Sequence, residues 1–379
     1  MSETVRDAVV IGAGPAGSAA AAVLAEAGFA PLVIEKDRFP RRKVCGEFLS
    51  ATARESLVRL DALAEIAGEA APIERGSVRL RGGRSVDFEL AARGFGISRL
   101  RLDEILARRA SERGAEIRFG SRVVAIEPGR DGATRLSVAG DGGREESLLA
   151  RCVVGAWGRW DALDRRLHRR FLLRRHRFYG WSRDYEPVPG VLKGDVRLYL
   201  FRGGYCGLSR VEGRRIHLAG VISEARRRRL PSGWEAAVVH ARADNPALDR
   251  DLAQLSARSP EGDLGTGPVY FTTKRPSEHG ALMAGDAAGV IDPFLGEGLA
   301  AALASGVLAG ETLASALAGR IRMEDAAGVY ALGWKRRLRR RLGWGVALRG
   351  LKLHPGAAAV AARLAGDGLA RAAIARLAI

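Results

Sequence analysis

Near the start of the chain lies a glycine-rich hexapeptide, Gly12-Ala13-Gly14-Pro15-Ala16-Gly17, that restricts the choice of fold sharply. The apolar run 7–11 before it predicts a buried parallel strand. The alanine-rich segment 15–27 after it predicts a helix that ends at Gly28. A second apolar run, 31–35, predicts the next strand. Strand, glycine turn, helix and strand in this order form a βαβ unit, on which open parallel sheets are built.

The spacing of these glycines matches a turn that binds the pyrophosphate of an adenine dinucleotide. Gly12 permits the tight turn, Gly14 lets the backbone approach the pyrophosphate, and Gly17 allows close packing of the helix. The first helical residues, Pro15 and Ala16, belong to a helix start whose backbone N–H groups face the anion. These five residues are therefore predicted to bind the cofactor.

A carboxylate at the end of the second strand completes this predicted site. Glu35 lies eighteen residues after Gly17, where such a carboxylate accepts the hydroxyl groups of the adenosine ribose. Glu35 and its neighbour Lys36 are predicted to contact the cofactor. These features indicate an adenine dinucleotide but do not choose between NAD and FAD.

A second motif, far along the chain, separates the two cofactors. Residues 285–289 read Gly-Asp-Ala-Ala-Gly, and residues 292–298 read Asp-Pro-Phe-Leu-Gly-Glu-Gly. Here the sequence resembles the flavoprotein superfamily of aromatic hydroxylases and geranylgeranyl reductases, which share the p-hydroxybenzoate hydroxylase fold. That resemblance implies an FAD site in which an aspartate binds the ribityl chain and a helix start faces the flavin ring. A helix amino terminus stabilises the negative charge of reduced flavin. The residues implied are Gly285, Asp286, Pro293, Gly296 and Gly298.

A third segment narrows the resemblance. Residues 39–47, Phe-Pro-Arg-Arg-Lys-Val-Cys-Gly-Glu, are similar to the Pro-x-x-Lys-x-Cys-Gly stretch of geranylgeranyl reductases. The resemblance implies that the segment crosses the flavin, with Arg42 near the nucleotide and with Cys45 and Gly46 close to the isoalloxazine. Two interpretations of Cys45 stay open. A buried free cysteine is usually a small hydrophobe, whereas hydride addition to an alkene needs a proton donor, which Cys45 would be.

Three weaker matches extend the resemblance over most of the chain. Arg99, four residues before Asp103, resembles an arginine that reaches the cofactor. Val123 occupies the position of a residue whose backbone contacts adenine. The segment around Tyr205 resembles the family's strand over the flavin, so Tyr205 is a predicted catalytic residue that faces the pocket. For each, the alternative is an ordinary surface ion pair or a packed core side chain.

One position departs from the family pattern. Residues 155–158, Gly-Ala-Trp-Gly, align with the family's Gly-Ala-Asp-Gly stretch, with Trp157 in place of the aspartate. In the aromatic hydroxylases that stretch serves both FAD and NADPH. The substitution therefore leaves the electron donor open between NAD(P)H and another reductant.

The order of predicted elements gives an α/β fold. It consists of a discontinuous Rossmann-like FAD-binding domain, an inserted and mainly antiparallel substrate domain, and a helical carboxyl terminus. Alternating apolar and polar residues in the middle of the chain predict the antiparallel strands. The predicted boundaries are 1–75, 101–165 and 276–325 for the FAD-binding domain, 76–100 and 166–275 for the substrate domain, and 326–379 for a basic helical region.

Charge and composition bear on partners. The net charge is +18, with only six lysines. Either a bias toward arginine in the genome or attraction to an anionic partner explains this excess. Basic clusters lie at 165–177, 226–229 and 335–341, and the last motivates a hypothesis of peripheral membrane contact. No stacking aromatics accompany the basic runs, so nucleic acid is not a predicted partner. The predicted partner is a hydrophobic small molecule.

Cysteine use and hydropathy bear on location. Cys45, Cys152 and Cys206 lie far apart without paired spacing, which predicts neither a disulfide framework nor a metal site. No secretory signal and no apolar run of membrane-spanning length is recognised. The expected location is therefore cytoplasmic, with peripheral membrane contact as the hypothesis above. Oligomeric state is not predicted.

Three functions are consistent with these motifs. The primary hypothesis is a reductase in which reduced FAD passes hydride to a C=C bond of a hydrophobic, isoprenoid-like substrate. The alternative is a monooxygenase that hydroxylates an aromatic or polyketide substrate through a flavin hydroperoxide. The third is a non-catalytic FAD-containing binding protein, which the replacement at Trp157 motivates.

Overall fold

A computed structural model describes residues 5–129, 132–159, 161–175, 177–186, 188, 192, 195–258 and 263–337. Its strands are grouped into two eight-stranded sheets, called sheet A and sheet B below. The predicted basic helical region is helical over residues 326–337. The remainder of that region, with most of the 335–341 cluster, lies outside the described residues.

The regular elements follow one another in chain order. The strands are β1 (Val5–Ile11), β2 (Pro31–Glu35), β3 (Phe48–Leu49), β4 (Ala71–Arg79), β5 (Ser85–Gly96), β6 (Glu116–Phe119), β7 (Arg122–Pro128), β8 (Thr134–Ala139), β9 (Glu145–Gly155), β10 (Phe178–Tyr185), β11 (Asp195–Phe201), β12 (Gly204–Arg210), β13 (Ile216–Ser223), β14 (Leu264–Val269), β15 (Ser277–Glu278) and β16 (Ala281–Met283). The helices are α1 (Pro15–Glu26), α2 (Arg54–Arg59), α3 (Leu63–Glu69), α4 (Arg99–Glu112), α5 (Ala162–Arg166), α6 (Glu224–Arg227), α7 (Glu235–Asp244), α8 (Pro246–Ala253), α9 (Gly298–Leu317) and α10 (326–337).

Sheet A is built around the βαβ unit that the glycine motif predicts. Five of its strands are parallel, in the order β16-β9-β1-β2-β6. All five residues of β2 are buried, as expected for a parallel strand whose two faces are both covered. Strand β15 is antiparallel at one edge, and β7 and β8 extend the sheet from β9. Sheet A therefore collects strands from both ends of the chain.

Helices α1 and α9 lie in unusually close contact. A Cβ on Gly306 would stand 2.1 Å from the carbonyl oxygen of Ala16, and one on Gly310 would stand 2.8 Å from that of Ala20. Only glycine permits this approach of the two backbones. The contacts advance in the same direction along both helices, so the two helices run parallel. Their amino termini therefore lie at the same end.

Helix α9 also corrects an expectation from the sequence. By length and composition it is apolar enough to cross a membrane, whereas no such segment was expected. Within the described residues, 78% of its most apolar window is buried inside the protein. Its burial against α1 gives it the character of a core helix.

Sheet B is the inserted sheet. Its strand order is β14-β10-β13-β12-β11-β4-β5-β3. Neighbours are antiparallel except β11 and β4, which are parallel. The first excursion from sheet A enters sheet B at β3 and continues through β4 and β5. This architecture confirms the predicted α/β fold with a discontinuous Rossmann-like domain and an inserted, mainly antiparallel sheet.

The connection between β2 and β3 links the two sheets. It leaves sheet A after Glu35 and enters sheet B at Phe48. The segment 39–47, which the sequence singles out, therefore lies in the passage from one sheet to the other. We call residues 39–47 the crossing segment.

Candidate functional site

A cavity lies where sheet A, the starts of α1 and α9 and the crossing segment meet sheet B. Most of the residues predicted from the sequence line it, although they come from distant parts of the chain. The predicted residues that line the cavity are Gly12, Gly14, Pro15, Ala16, Glu35, Lys36, Cys45, Gly46, Arg99, Val123, Gly285, Asp286, Pro293, Gly296 and Gly298.

Three predicted residues do not line the cavity. Gly17 lies beneath the glycine turn, where a Cβ would stand 1.8 Å from a backbone oxygen of that turn, so it serves close packing. The Arg42 guanidinium pairs with the carboxylate of Asp184 at 2.7 Å. The Tyr205 hydroxyl donates to the buried Asp292 carboxylate at 2.9 Å. Arg42 and Tyr205 thus join parts of the protein to one another, which differs from the roles predicted for them.

The glycine turn fits a dinucleotide. Gly12 has a φ of +100°, and a Cβ there would stand 2.6 Å from the carbonyl oxygen of Ala156. Gly14 is different. Among the described residues, the one heavy atom within 4 Å of a Cβ on Gly14 is Nη2 of Arg99, at an ordinary 3.7 Å. The fold itself therefore tolerates a side chain at Gly14, and the approach of a cofactor backbone explains the glycine.

Two helix amino termini converge on the cavity. Gly14, Pro15 and Ala16 from the start of α1 line it, as do Gly298 and Leu299 from the start of α9. The N–H groups of a first helical turn lack intrahelical acceptors and carry partial positive charge. Two such ends beside one cavity favour an anionic occupant. A dinucleotide pyrophosphate and the negative charge of a reduced flavin both meet this requirement.

Glu35 is fixed beside the glycine turn. Its Oε2 accepts a hydrogen bond from the backbone N–H of Ala13 at 2.7 Å, and its Oε1 accepts one from Asp37 at 3.0 Å. Each carboxylate oxygen has more than one lone pair, so Glu35 retains the capacity to accept hydroxyl groups. Its neighbour Lys36 pairs with Asp161 at 3.2 Å.

Arg99 is the first residue of α4, and the buried carboxylate of Asp103 holds its side chain next to Gly14, at the start of α1. Its Nε and Nη2 donate to the two carboxylate oxygens at 2.7 and 2.6 Å. Burial alone would lower the pKa of Arg99, but the Asp103 carboxylate raises it by more. Arg41 donates to the same carboxylate at 3.0 Å. Asp103 therefore organises two guanidinium groups next to the glycine turn.

Cys45 lies in the crossing segment, between the two walls of the cavity, and its side chain is half-buried. The backbone N–H of Glu47 donates to its Sγ at 3.4 Å. Burial raises the pKa of the Cys45 thiol, and the opposing effect of the Arg99 charge is smaller. Cys45 therefore carries its proton at neutral pH. Cys152 and Cys206 are buried away from the cavity.

The wall that sheet B contributes is apolar, and the sequence did not predict its members. Val221 on β13 and Val269 at the end of β14 belong to it, together with Phe271 and Val290. All four are buried in one hydrophobic cluster. An apolar wall opposite a dinucleotide site provides a surface for a hydrophobic substrate.

Comparison with known proteins indicates a dinucleotide cofactor, as the geometry of the cavity does. The family model described as an FAD binding domain matches residues 6–173. Digeranylgeranylglycerophospholipid reductase 1 of Methanopyrus kandleri is 31% identical over 323 residues, which cover 82% of this chain and 81% of that protein. The chain belongs to the geranylgeranyl reductase and p-hydroxybenzoate hydroxylase-fold superfamily of FAD-dependent oxidoreductases.

Other proteins similar to this chain have names that indicate several different activities. Menaquinone reductase of Mycobacterium tuberculosis is 30% identical over 348 residues, covering 82% of this chain and 76% of that protein. A geranylgeranyl bacteriochlorophyll reductase-like structure from Thermoplasma acidophilum superposes with a TM-score of 0.77 at 20% identity, covering 99% and 91% of the two chains. The flavin-dependent brominase Bmp2 superposes with a TM-score of 0.79 at 18% identity, covering 99% and 93%. The solved structures therefore support the fold alone.

Lys43 lines the cavity as well, although it was not among the residues predicted from the sequence. No hydrogen bond or ion pair joins it to a partner in the described part of the chain. Burial, and to a smaller extent the charges of Arg41 and Arg99, lower the pKa of Lys43 to about 7. The lysine of the Pro-x-x-Lys-x-Cys-Gly stretch was the signal that could have found it. An anionic group of the cofactor would restore its charge.

Trp157 does not replace the missing aspartate functionally. Its indole ring is buried and packs against Gly155, where a Cβ would stand 2.5 Å from a ring carbon. The Arg169 guanidinium lies 5.8 Å from the ring centre. The nearest carboxylate along this segment that lines the cavity is Asp161, and it is already paired with Lys36 and Arg122. At position 157 this FAD site therefore presents no carboxylate.

Lys274 ties two cavity loops together. Its Nζ donates to the carbonyl oxygens of Arg159 and Asp286 at 2.5 and 2.7 Å. Burial lowers the pKa of Lys274 to about 7 from its ordinary 10.5. A neutral amine has two N–H groups, so both hydrogen bonds survive loss of the proton. Lys274 therefore holds the loop that carries Asp286 in place with or without its charge.

Replacing Lys274 by methionine is expected to weaken FAD binding up to about thirtyfold, because the two hydrogen bonds are worth about 2 kcal/mol together. The folded protein releases the Lys274 proton near pH 7 and the unfolded chain near 10.5, so this group makes stability rise with pH across that range. Lys274→Met should lose that rise. FAD titration and denaturant unfolding at pH 7 and 9.5 measure both effects. Lys335→Met, at an exposed position of α10, is the matched control.

Proposed function

We propose that this FAD-dependent oxidoreductase reduces C=C bonds in the polyprenyl chain of a lipid. One observation carries the proposal. A single cavity joins the dinucleotide-binding elements of sheet A to an apolar wall of sheet B, with the thiol of Cys45 between them. A lipid chain fits the apolar wall, and its reduction requires both a hydride and a proton.

The names of the two most informative relatives support this substrate class. One acts on digeranylgeranylglycerophospholipid and the other on menaquinone. Both of these molecules carry polyprenyl chains. The relatives differ in the polar group at the end of that chain, so the shared chemistry is the prenyl C=C bond.

The residues that line the cavity would divide the work of binding. The glycine turn and the starts of α1 and α9 hold the pyrophosphate and the flavin, Glu35 holds the ribose, and Asp286 holds the ribityl chain. When bound and reduced, FAD supplies the hydride. Val221, Val269 and Phe271 bind the prenyl chain and exclude water from the reacting carbons.

Cys45 supplies the proton. Its S–H bond breaks as a C–H bond forms on the alkene carbon that does not receive the hydride. The thiolate left behind lies near the Arg99 charge, which stabilises it. Protonation from solvent then restores the thiol. The product differs from the substrate by two hydrogen atoms.

Anaerobic single turnover tests the proposal without knowledge of the natural electron donor. Photoreduced holoenzyme is mixed with a geranylgeranyl lipid or with menaquinol, neither of which has a quinone ring that could itself accept the flavin electrons, and flavin absorbance and product mass are followed. We expect flavin reoxidation and a mass gain of two hydrogens per reduced bond. The fully saturated analogue of each lipid is the matched control and should leave the flavin reduced.

Two outcomes would reject the proposal. The first is flavin that stays reduced with every prenyl lipid offered. The second is turnover that requires oxygen, with labelled oxygen or added halide incorporated into the product, which would indicate a monooxygenase or a halogenase.

A further inference from the structure

Behind Cys45 lies a buried histidine that the reaction does not use directly. His217 is on β13 of sheet B and is 4% exposed. Its Nδ1 lies 2.6 Å from the Oδ1 of Asp184, and its Nε2 lies 2.9 Å from the backbone carbonyl oxygen of Cys45. The imidazole ring thus bridges a carboxylate of sheet B and the crossing segment.

The two partners fix the protonation state of His217. A carbonyl oxygen accepts hydrogen bonds and cannot donate them, and the same holds for an ionised carboxylate. Both ring nitrogens must therefore carry hydrogen, which makes His217 an imidazolium. Burial alone would lower the pKa of His217, but the nearby carboxylates of Glu47 and Asp184 raise it to about 9. The charge is present throughout the neutral range.

The charges around this imidazolium come from four elements and nearly balance. Asp184 on β10 also accepts from two guanidinium groups, each at 2.7 Å. Burial would raise the pKa of Asp184, but the hydrogen bond and charge of His217, followed by the hydrogen bond from Arg42 and the charge of Arg215, keep it below its usual range. The groups that face His217 or its immediate partners are Arg42, Cys45 and Glu47 of the crossing segment, Asp184 of β10, Arg99 of α4, and Glu212 and Arg215 before β13.

The backbone next to Cys45 is in a conformation that needs support. Glu47 has a φ of +52°, in the left-handed region that side chains disfavour. Its Oε1 accepts from the backbone N–H of Arg99 at 3.1 Å, and its Oε2 lies 3.4 Å from Nδ1 of His217. Its own N–H donates to Sγ of Cys45. His217 therefore contacts both ends of the turn that holds the thiol.

We propose that His217 is the positioning residue for Cys45. Its imidazolium, carried by the rigid sheet B, holds the Cys45 carbonyl and the Glu47 carboxylate, and so fixes the thiol at the junction of the two cavity walls. The hydrogen bond spans 172 residues of sequence. The consequence for catalysis rests on the proposed function, whereas the positioning itself does not.

Nitrogen NMR of FAD-loaded protein labelled with ¹⁵N-histidine tests the charge without any variant that alters folding. The His217 signals are assigned by their absence in His217→Gln. We expect two protonated ring nitrogens at pH 7.5, with loss of one proton as the pH rises through about 9. A single protonated ring nitrogen at pH 7.5 would overturn the proposal.

Alkylation of Cys45 by iodoacetamide in native holoenzyme tests the positioning. We expect the rate to rise at least fivefold in His217→Ala. It should return close to the wild-type rate in His217→Gln, because the amide N–H replaces the donor to the Cys45 carbonyl. His240→Gln is the matched control, since His240 also contacts a backbone carbonyl but lies on α7, outside the cavity. Equal rates in all four proteins would contradict the proposal.

A single-turnover experiment tests whether positioning of Cys45 by His217 affects the proposed reduction of prenyl lipids. Its outcomes also distinguish failure of one proposal from failure of the other. We expect His217→Ala to slow reduction of the prenyl lipid at least tenfold, with FAD content unchanged and with recovery in His217→Gln. If wild-type enzyme reduces no prenyl lipid, the proposed function fails. The NMR and alkylation results still decide the role of His217 in that case.

Discussion

The Gly14→Val variant is expected to fold and to purify without FAD. The Cβ atom of the new side chain meets only the tip of Arg99 within the described protein, so we expect little disturbance of the packing. The same side chain occupies the surface where the pyrophosphate backbone must approach the start of α1. A loss of even about 4 kcal/mol in binding free energy raises the dissociation constant about a thousandfold. FAD released on denaturation should therefore fall below detection.

Two controls separate loss of cofactor from loss of fold. Gly68→Val places the same side chain on α3, at a glycine with no heavy atom within 4 Å of its Cβ position among the described residues, and should retain FAD. Gly12→Ala should instead damage the fold itself, because its Cβ would collide with Ala156 and its φ is positive. Circular dichroism and thermal unfolding report folding in each case. A yellow Gly14→Val protein would mean that the cofactor does not approach this backbone.

The site residues that could best be recognised from the sequence are glycines at positions where the backbone needs a conformation that other residues disfavour. Gly12 must adopt a positive φ, and Gly296 does so at +70° before α9. These requirements are local, so they can be recognised without knowledge of the tertiary structure. The strand-turn-helix context of the first motif and the long small-residue helix after the second are local in the same sense. For that reason the residues of these two motifs could be selected from the sequence, and the structure places most of them around one cavity.

Tyr205 is a residue whose contacts could not be inferred from the local sequence. Its position on β12 was predictable, but its partner was not. In the antiparallel register it lies opposite Val221, which lines the cavity, while its own hydroxyl is bound by Asp292 from a loop before α9. Which side chain of such a pair reaches the cavity depends on the docking of that loop. Spacing along the chain carries no information about it.

The contacts that Cys45 makes with sheet B were even harder to predict from the sequence. Asp184 and His217 sit on neighbouring strands that are paired through β10 and β13, and neither belongs to a motif. The resemblance implied that Arg42 lies near the nucleotide, whereas the structure pairs it with the buried carboxylate of Asp184. A buried carboxylate without a cationic partner is strongly destabilising, so the nearest cations pair with it. Only the tertiary structure shows which cations these are.

Replacing Cys45 by serine is expected to slow reduction of a prenyl lipid by about a hundredfold or more, the usual contribution of a positioned general acid. A serine hydroxyl fits the same space but is a far weaker acid than a thiol. FAD content should stay unchanged, because the backbone of the crossing segment is retained. Stopped-flow measurement of flavin reoxidation in single turnover, with photoreduced enzyme and saturating lipid, gives the rate.

The control for this substitution is Cys152→Ser, at a buried cysteine outside the cavity whose thiol donates to the carbonyl oxygen of Asp7. It should reduce the lipid at the wild-type rate. In Cys45→Ala, which has no donor atom, the loss should be at least as large as in Cys45→Ser. If both Cys45 variants instead keep the wild-type rate, the proton reaches the substrate carbon from water, and Cys45 is then a wall of the cavity only. The same two variants thus decide between the two interpretations of this cysteine, proton donor or small hydrophobe, because only a proton donor makes the rate depend on the acidity of the side chain.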